Sequence, residues 1–198
     1  MKRIVTALCG ASGALYGLRL VKALAEAGTE IDLIVSRAGL IVADEELGLS
    51  EKEFRETLHG FCKANADTTL RVHDVNDFTA APASGSCPID AMVVVPCTMA
   101  SLAAIATGNG RNLIHRAADV ALKEKRPLVL VPREMPYSLI HLKNMTAAAE
   151  AGATILPASP AFYSRPETLE ALADTVVARI LDHIGVTPAR DLVPRWKA

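Results

Sequence analysis

The sequence predicts an α/β protein with a doubly wound parallel sheet between two layers of helices. Short apolar runs alternate with longer segments of helical period along the 198 residues, and strands separated by helices form parallel sheets with right-handed crossovers. Runs such as residues 91–95 lack polar alternation, as expected of strands buried on both faces. Small polar loops follow several runs, and the carboxyl ends of parallel strands lie on one edge of the sheet, where ligands bind.

The first half of the chain predicts three strands and three helices. Residues 4–8 form the first strand, and a helical pattern begins at Ala14 and stops at Gly28. Residues 30–35 form the second strand, followed by a helix over 40–47. Ser50 and Glu53 make a capping box for a helix over 50–66, and residues 70–75 suit a short strand. The segment 76–90 is a long loop, and such loops are more often functional than structural filler.

The second half repeats the alternation. Strands are predicted at 91–95, 127–131 and 153–156, the last as a short core strand, and helices at 102–106, 112–125 and 137–151. From Glu167 to Ile184 apolar residues follow one continuous helical face, and Arg179 lies off that face. We expect one domain over residues 1–186 and a tail, 187–198, in which Trp196 suggests docking on the domain or on a neighbouring subunit.

Composition restricts the class of protein. The chain is 51% hydrophobic with a formal net charge of −1, which argues against disorder and nucleic-acid binding. Neither a membrane span nor a signal peptide is evident, so we expect a cytoplasmic protein. The four cysteines, Cys9, Cys62, Cys87 and Cys97, make no C-x-x-C pair and no zinc spacing with histidine. We therefore expect reduced thiols and no metal.

The first candidate site is the loop Cys9-Gly10-Ala11-Ser12-Gly13, between the first strand and its helix. Backbone N–H groups at such a helix N-terminus bind phosphate, and Ser12 suits either a helix cap or a phosphate donor. The loop lacks G-x-G-x-x-G, and the second strand ends at Ser36 instead of an acidic residue. Both facts favour a mononucleotide over NAD.

Further candidates follow later strands. Thr98 and Ser101 offer hydroxyls after the strand at 91–95, and Arg133 and Glu134 follow the strand at 127–131. Arg133 suits a phosphate, or equally a surface ion pair with Glu134. A second group consists of Tyr163 and Arg179, with Lys123 as a third candidate phosphate ligand, although each residue type is also common at an ordinary surface. A nucleophilic hydrolase is disfavoured because the first loop is not G-x-S-x-G.

The ordered set of motifs resembles the flavin prenyltransferases of the UbiX type, from Lys2 to about Trp196. The matching pieces include Gly10-Ala11-Ser12-Gly13-Ala14, Ala83-Ser84-Gly85-Ser86, Val95-Pro96-Cys97-Thr98, Arg116-Ala117-Ala118-Asp119-Val120, Arg133-Glu134 and Pro160-Ala161-Phe162-Tyr163. That family is similar to flavodoxin-like and Rossmann-like proteins and forms homododecamers. It joins a dimethylallyl group to N5 and C6 of reduced FMN without a metal, and the prenylated FMN serves a UbiD-type decarboxylase.

The resemblance implies a role for each candidate. FMN contacts fall at Gly10, Ala11, Ser12, Ser36, Thr98, Met99, Ala100, Ser101 and Arg133. Dimethylallyl phosphate contacts fall at Lys123, Tyr163 and Arg179, with monophosphate and pyrophosphate donors both open. Glu134 is the acid/base candidate, Ser12 lies between the two ligands, and Glu46 is a further catalytic candidate close to the substrate.

One motif departs from the family pattern. Many relatives have S-x-K-T where this chain has Thr98-Met99-Ala100-Ser101, so the charge of that lysine is missing here.

Two alternatives to a flavin prenyltransferase remain. An FMN-dependent cysteine decarboxylase is the second candidate, but it resembles P-A-S-A-N-T at this loop and uses a histidine that the first 58 residues here lack. A non-catalytic FMN-binding protein is the third.

Overall fold

Six parallel strands form one sheet in the computed structural model, which describes residues 1–194. The strands are β1 (Arg3–Leu8), β2 (Glu30–Val35), β3 (Thr69–His73), β4 (Ala91–Cys97), β5 (Leu128–Pro132) and β6 (Thr154–Ile155). Their order is β3-β2-β1-β4-β5-β6. The winding reverses between β1 and β4, and this reversal opens a crevice at their carboxyl ends. The doubly wound prediction is confirmed.

Helices cover both faces of the sheet. They are α1 (Ala14–Glu26), α2 (Arg37–Leu47), α3 (Glu51–Lys63), α4 (Met99–Ala106), α5 (Leu113–Lys123), α6 (Leu139–Glu150) and α7 (Leu169–Ile184). On one face α1, α3 and α7 bury Leu24, Phe54 and Ile180. On the other face α4 and α5 bury Leu102 and Leu113. Burial of these side chains provides the main stabilisation of the three layers.

Several element boundaries differ from the sequence prediction because hydroxyl caps start helices early. The Ser36 hydroxyl accepts a hydrogen bond from the Gly39 N–H at 3.0 Å, so α2 begins at Arg37 and not at residue 40. Thr98 caps α4 in the same way, so that helix begins at Met99. The capping box of Ser50 is present as predicted. The last strand, β6, is a half-buried edge and not a core strand.

A charged cluster lies across β1, β2 and β3. Asp32 is fully buried and accepts hydrogen bonds from the Arg3 guanidinium at 2.6 and 3.2 Å. The Nε2 of His73 lies 2.7 Å from the same carboxylate. Burial alone would raise the pKa of Asp32, but the bonds and charges of Arg3 and His73 lower it below its usual value. This cluster satisfies a charge that would otherwise be costly to bury.

The described part of the tail contacts the body of the chain. Leu192 packs against the core on the side of α1 and α3, and Arg190 lies 3.6 Å from Glu26. Trp196, which we predicted to dock, lies outside the described residues. Within residues 1–194 no helix is both long and apolar enough to cross a membrane.

Candidate functional site

Two loops approach each other closely at the carboxyl ends of β1 and β2. A Cβ on Gly10 would overlap the side chain of Ala38, and a Cβ on Gly39 would lie 2.9 Å from the carbonyl oxygen of Leu8. Only glycine fits at both positions, so the first loop packs directly against the first turn of α2. The amino ends of α1 and α2 are therefore brought side by side, and the backbone N–H groups at such ends suit an anionic ligand.

The loop after β4 completes this cradle with hydroxyl groups. The Ser101 hydroxyl oxygen accepts hydrogen bonds from the Thr98 hydroxyl at 3.1 Å and from the Cys9 thiol at 3.3 Å. Burial raises the pKa of Cys9, so its thiol stays protonated and donates. With both acceptor positions used, the proton of Ser101 is available to a ligand. The loop after β4 thus presents neutral donors and acceptors to the crevice.

The backbone N–H groups of Gly13 and Ala14 form a binding position for an anion at the first turn of α1, here called the anion seat. Gly13 is the helix N-cap with φ of 110° and no side-chain cap, so Ser12 does not cap the helix. Instead, the Glu46 carboxylate accepts hydrogen bonds from the N–H of Gly13 at 2.8 Å and of Ala14 at 2.9 Å. The seat is thus built to hold a negative charge.

The surroundings of Glu46 favour its ionised form. Burial by itself would raise the pKa of Glu46, but the Ser12 hydroxyl, the two backbone N–H groups and the charge of Arg133 together lower it below its usual value. The Nε of Arg133 donates to the carbonyl oxygen of Ser12 at 3.3 Å. The Glu134 carboxylate accepts a hydrogen bond from the N–H of Met135 at 3.1 Å. Arg133 and Glu134, although adjacent in sequence, therefore bind different partners.

A cavity of about 640 Å³ opens from the seat. Its polar wall contains Ser12, Glu46 and Arg133, and its apolar wall is formed by Leu15, Leu47, Ala158, Leu169, Leu172 and Ala173. Tyr16, which belongs to the motifs that resemble the family but was given no role at the site, also lines the cavity. The signal for it was its position one helical turn after Gly13, whose added Cβ would lie 2.8 Å from the Tyr16 ring. Burial raises the pKa of Tyr16, so the phenol stays neutral.

None of the three predicted substrate ligands lines this cavity. Lys123 is the last residue of α5, which leads into β5, so it lies toward the amino-terminal edge of the sheet, opposite the site. Its ammonium pairs with Glu124 at 2.8 Å. Arg179 lies six residues beyond Ala173 on α7 and pairs with Asp182 at 2.8 Å. Tyr163 is exposed in the loop before α7.

The four cysteines form no disulfide bond. Three cysteines are buried and Cys87 is half-buried, and all four are free thiols as predicted. Across the described range, 1–194, no three histidine, cysteine, aspartate or glutamate side chains are grouped so as to hold a metal ion.

The fold and site define a class: doubly wound α/β proteins that hold a mononucleotide at the topological switch point. In agreement, residues 1–181 match the flavoprotein family. The chain is 48% identical over 199 residues to the flavin prenyltransferase UbiX of Pseudomonas aeruginosa, covering 98% of this chain and 94% of that protein.

Solved structures agree with the sequence relatives. The complex of AnUbiX (PadA1) with FMN and dimethylallyl pyrophosphate matches with a TM-score of 0.89 and 39% identity, covering 100% of this chain and 98% of that one. The dodecameric FMN-dependent UbiX-like decarboxylase from Escherichia coli O157:H7 matches with a TM-score of 0.86 and 38% identity, covering 99% of each chain. The chain belongs to the UbiX family of flavin prenyltransferases.

Proposed function

We propose that the protein joins a dimethylallyl group from dimethylallyl phosphate to N5 and C6 of reduced FMN, giving prenylated FMN. The observation that carries the proposal is the pairing of an anion seat with an apolar cavity wall, next to the three loops of the cradle. The seat is formed by Gly13, Ala14 and Arg133, and the apolar wall by α7 and Leu15. This pairing suits a substrate with an anionic head and a short hydrocarbon tail.

The cradle residues divide the binding of FMN among three loops. We assign Gly10, Ala11 and Ser12 to the first loop, Ser36 to the second and Thr98, Met99, Ala100 and Ser101 to the third, with Arg133 above them. When bound, reduced FMN supplies the electron-rich N5 and C6. The chain's residues would orient the ring with neutral hydrogen bonds and keep water away from a reactive allyl group.

Phosphate departure is the step that the protein has to assist. As the bond between carbon and phosphate oxygen breaks, negative charge grows on the phosphate, and fixed donors stabilise that charge. Ser12 and Arg133 are close enough to the seat to act within one chain. After N5 is alkylated, a bond from C6 to the far end of the dimethylallyl group closes one new ring. The double bond of that group gains a proton in this step and C6 loses one. We assign the proton transfer to Glu134, with Glu46 or the released phosphate as the other candidates.

We infer that Lys123, Tyr163 and Arg179 act on a neighbouring subunit's site. All three have exposed side chains, and Lys123 and Arg179 lie away from the cavity of their own chain. In a homododecamer, the assembly of the E. coli relative, a basic residue of one copy would be able to face the seat of another. In such an assembly a neighbouring copy would cover the exposed apolar side chains of α6, such as Leu139 and Ile140.

Mass spectrometry of the flavin tests the function directly. The purified chain is incubated with reduced FMN and dimethylallyl phosphate, and the flavin is expected to gain a five-carbon unit, with dimethylallyl pyrophosphate as a parallel donor. Retained FMN with no mass gain would favour the non-catalytic flavin-binding alternative. Activity that survives a chelator is expected, because we propose a metal-independent reaction. We further propose a cytoplasmic enzyme whose product passes to a UbiD-type decarboxylase.

A further inference from the structure

An anion from the chain itself occupies the seat at the start of α1. One carboxylate oxygen of Glu46 lies 2.8 Å from the Gly13 nitrogen and 2.9 Å from the Ala14 nitrogen, and the other lies 3.1 Å from the Gly13 nitrogen. The first N–H groups of a helix have no partner inside the helix and attract anions. Glu46 therefore satisfies the same donors that a phosphate group would need.

A phosphate and this carboxylate cannot use the seat together. Each backbone N–H makes one good hydrogen bond, and two anions in van der Waals contact repel strongly where water is partly excluded. The Ser12 hydroxyl and the Arg133 charge also act on Glu46, so its departure frees four groups that favour negative charge. Binding of a phosphate therefore requires the carboxylate to leave.

The position of Glu46 allows it to leave. It lies in the last turn of α2, one residue before Leu47, and the residue is exposed. Only Gly39 and Ala43 of α2 are buried. The helix ends at Gly48, which has φ of 64° and nothing within 4 Å of an added Cβ. A change of side-chain rotamer is enough to move the carboxylate into solvent without disturbing the core.

We propose that Glu46 is an internal anion that closes the seat in the free protein, is displaced by the phosphate of the substrate, and returns when phosphate leaves. Only the identity of the organic phosphate rests on the function proposed above, since inorganic phosphate is sufficient to displace the carboxylate. The apparent affinity for phosphate is then the intrinsic affinity reduced by the fraction of molecules in which Glu46 is away.

Calorimetric titration with inorganic phosphate tests the displacement. The full chain is compared at neutral pH with Glu46→Gln, which keeps the size of the side chain and removes its charge, and with Glu45→Gln, an exposed neighbour on the same helix. We expect Glu46→Gln to bind phosphate about tenfold more tightly, because the competing charge is gone. Glu45→Gln should match the wild type. Unchanged or weaker binding by a folded Glu46→Gln variant would overturn the proposal.

Crystal structures of the wild type with and without phosphate provide a second test that needs no variant. The carboxylate should bond to Gly13 in the free protein, and a phosphate oxygen should replace it in the complex. Phosphate bound beside an unmoved Glu46 would refute the displacement. The flavin mass assay is independent: prenylation with Glu46 in place contradicts only the displacement, and displacement without prenylation contradicts only the proposed function.

Discussion

The Nε of Arg133 donates a hydrogen bond to the carbonyl oxygen of Ser12 at 3.3 Å, and this contact spans a strand. Arg133 directly follows β5 and Ser12 follows β1, while β4 lies between these two strands in the sheet. The guanidinium carries five N–H donors, so one bond to a backbone oxygen leaves others for a ligand. Arg133 thus positions the first loop and also presents positive charge over the crevice.

Replacement of Arg133 by methionine should weaken FMN binding by about 10–100-fold, since hydrogen bonds to a charged donor contribute about 1.5–3 kcal/mol. Arg133→Lys should fall between, because it keeps the charge but loses the planar fork. The measurement is a titration of flavin fluorescence. Arg55→Met, which removes an exposed pair with Glu51 on α3, is the control and should bind as the wild type. Equal binding by Arg133→Met would mean that Arg133 does not contact the flavin.

Gly13→Ala should destabilise the fold more than Gly48→Ala. Both glycines have positive φ, 110° and 64°, so alanine is strained at either position. At Gly48 nothing lies near an added Cβ, and the cost is about 1–2 kcal/mol. At Gly13 the Cβ would also lie 2.8 Å from the Tyr16 ring, which has to shift. Urea unfolding measures both variants, and equal losses would contradict the assigned contact.

The sequence predicted the fold well because apolar runs and helical periods report burial directly. Residues 91–95 lack polar side chains, and β4 is indeed buried along its whole length. The start of α4 was missed because Thr98 was interpreted as a ligand, although a hydroxyl at that position also caps a helix. Propensity could not separate the two roles, which differ only in where the hydroxyl points.

The site was predicted only in part. The loops of Gly10, Ser36 and Thr98 follow strands, and a parallel sheet places them on one edge wherever they fall in the sequence. Lys123 and Arg179 were singled out as candidate phosphate ligands from residue type and position, and family resemblance gave them a substrate role. Neither source tells which subunit a residue serves. Tyr16 lay inside an ordinary helical pattern, which does not show that its ring lines the cavity.

Mixed oligomers test whether Lys123 serves a neighbouring site. Ser12→Ala and Lys123→Ala are each expected to transfer the prenyl group poorly, because each lacks one donor to the departing phosphate. If the two residues come from different subunits, some sites in a co-expressed mixture will contain both wild-type residues. Random assembly then restores about a quarter of wild-type activity. The flavin mass assay measures the recovery.

A double variant carrying both changes in one chain is the control for this experiment. Two further mixtures show how far subunits exchange. In one the double variant is co-expressed with wild type, and in the other the two single variants are mixed after purification. If co-expressed single variants, shown by mass to form mixed oligomers, stay as inactive as either parent, Ser12 and Lys123 serve the same chain's site, and the assignment of Lys123 to a neighbour is wrong.

The cluster around Asp32 gives a prediction on stability and pH. Arg3→Met leaves a fully buried carboxylate with His73 alone, and breaking a buried ion pair costs about 3–5 kcal/mol. In the wild type the folded pKa of Asp32 is lowered, so its contribution is present above the unfolded pKa, about 3.9, and is lost as pH falls through the folded pKa. In Arg3→Met burial raises that pKa, so the difference from wild type should shrink as the medium is acidified. Urea unfolding of wild type and variant across pH measures this difference.

The control variant is Arg71→Met, which removes the more exposed pair with Glu30 and should cost about 0–1 kcal/mol. A loss in Arg3→Met that is as small as this control, or that is constant with pH, would show that Asp32 does not depend on Arg3 for its charge.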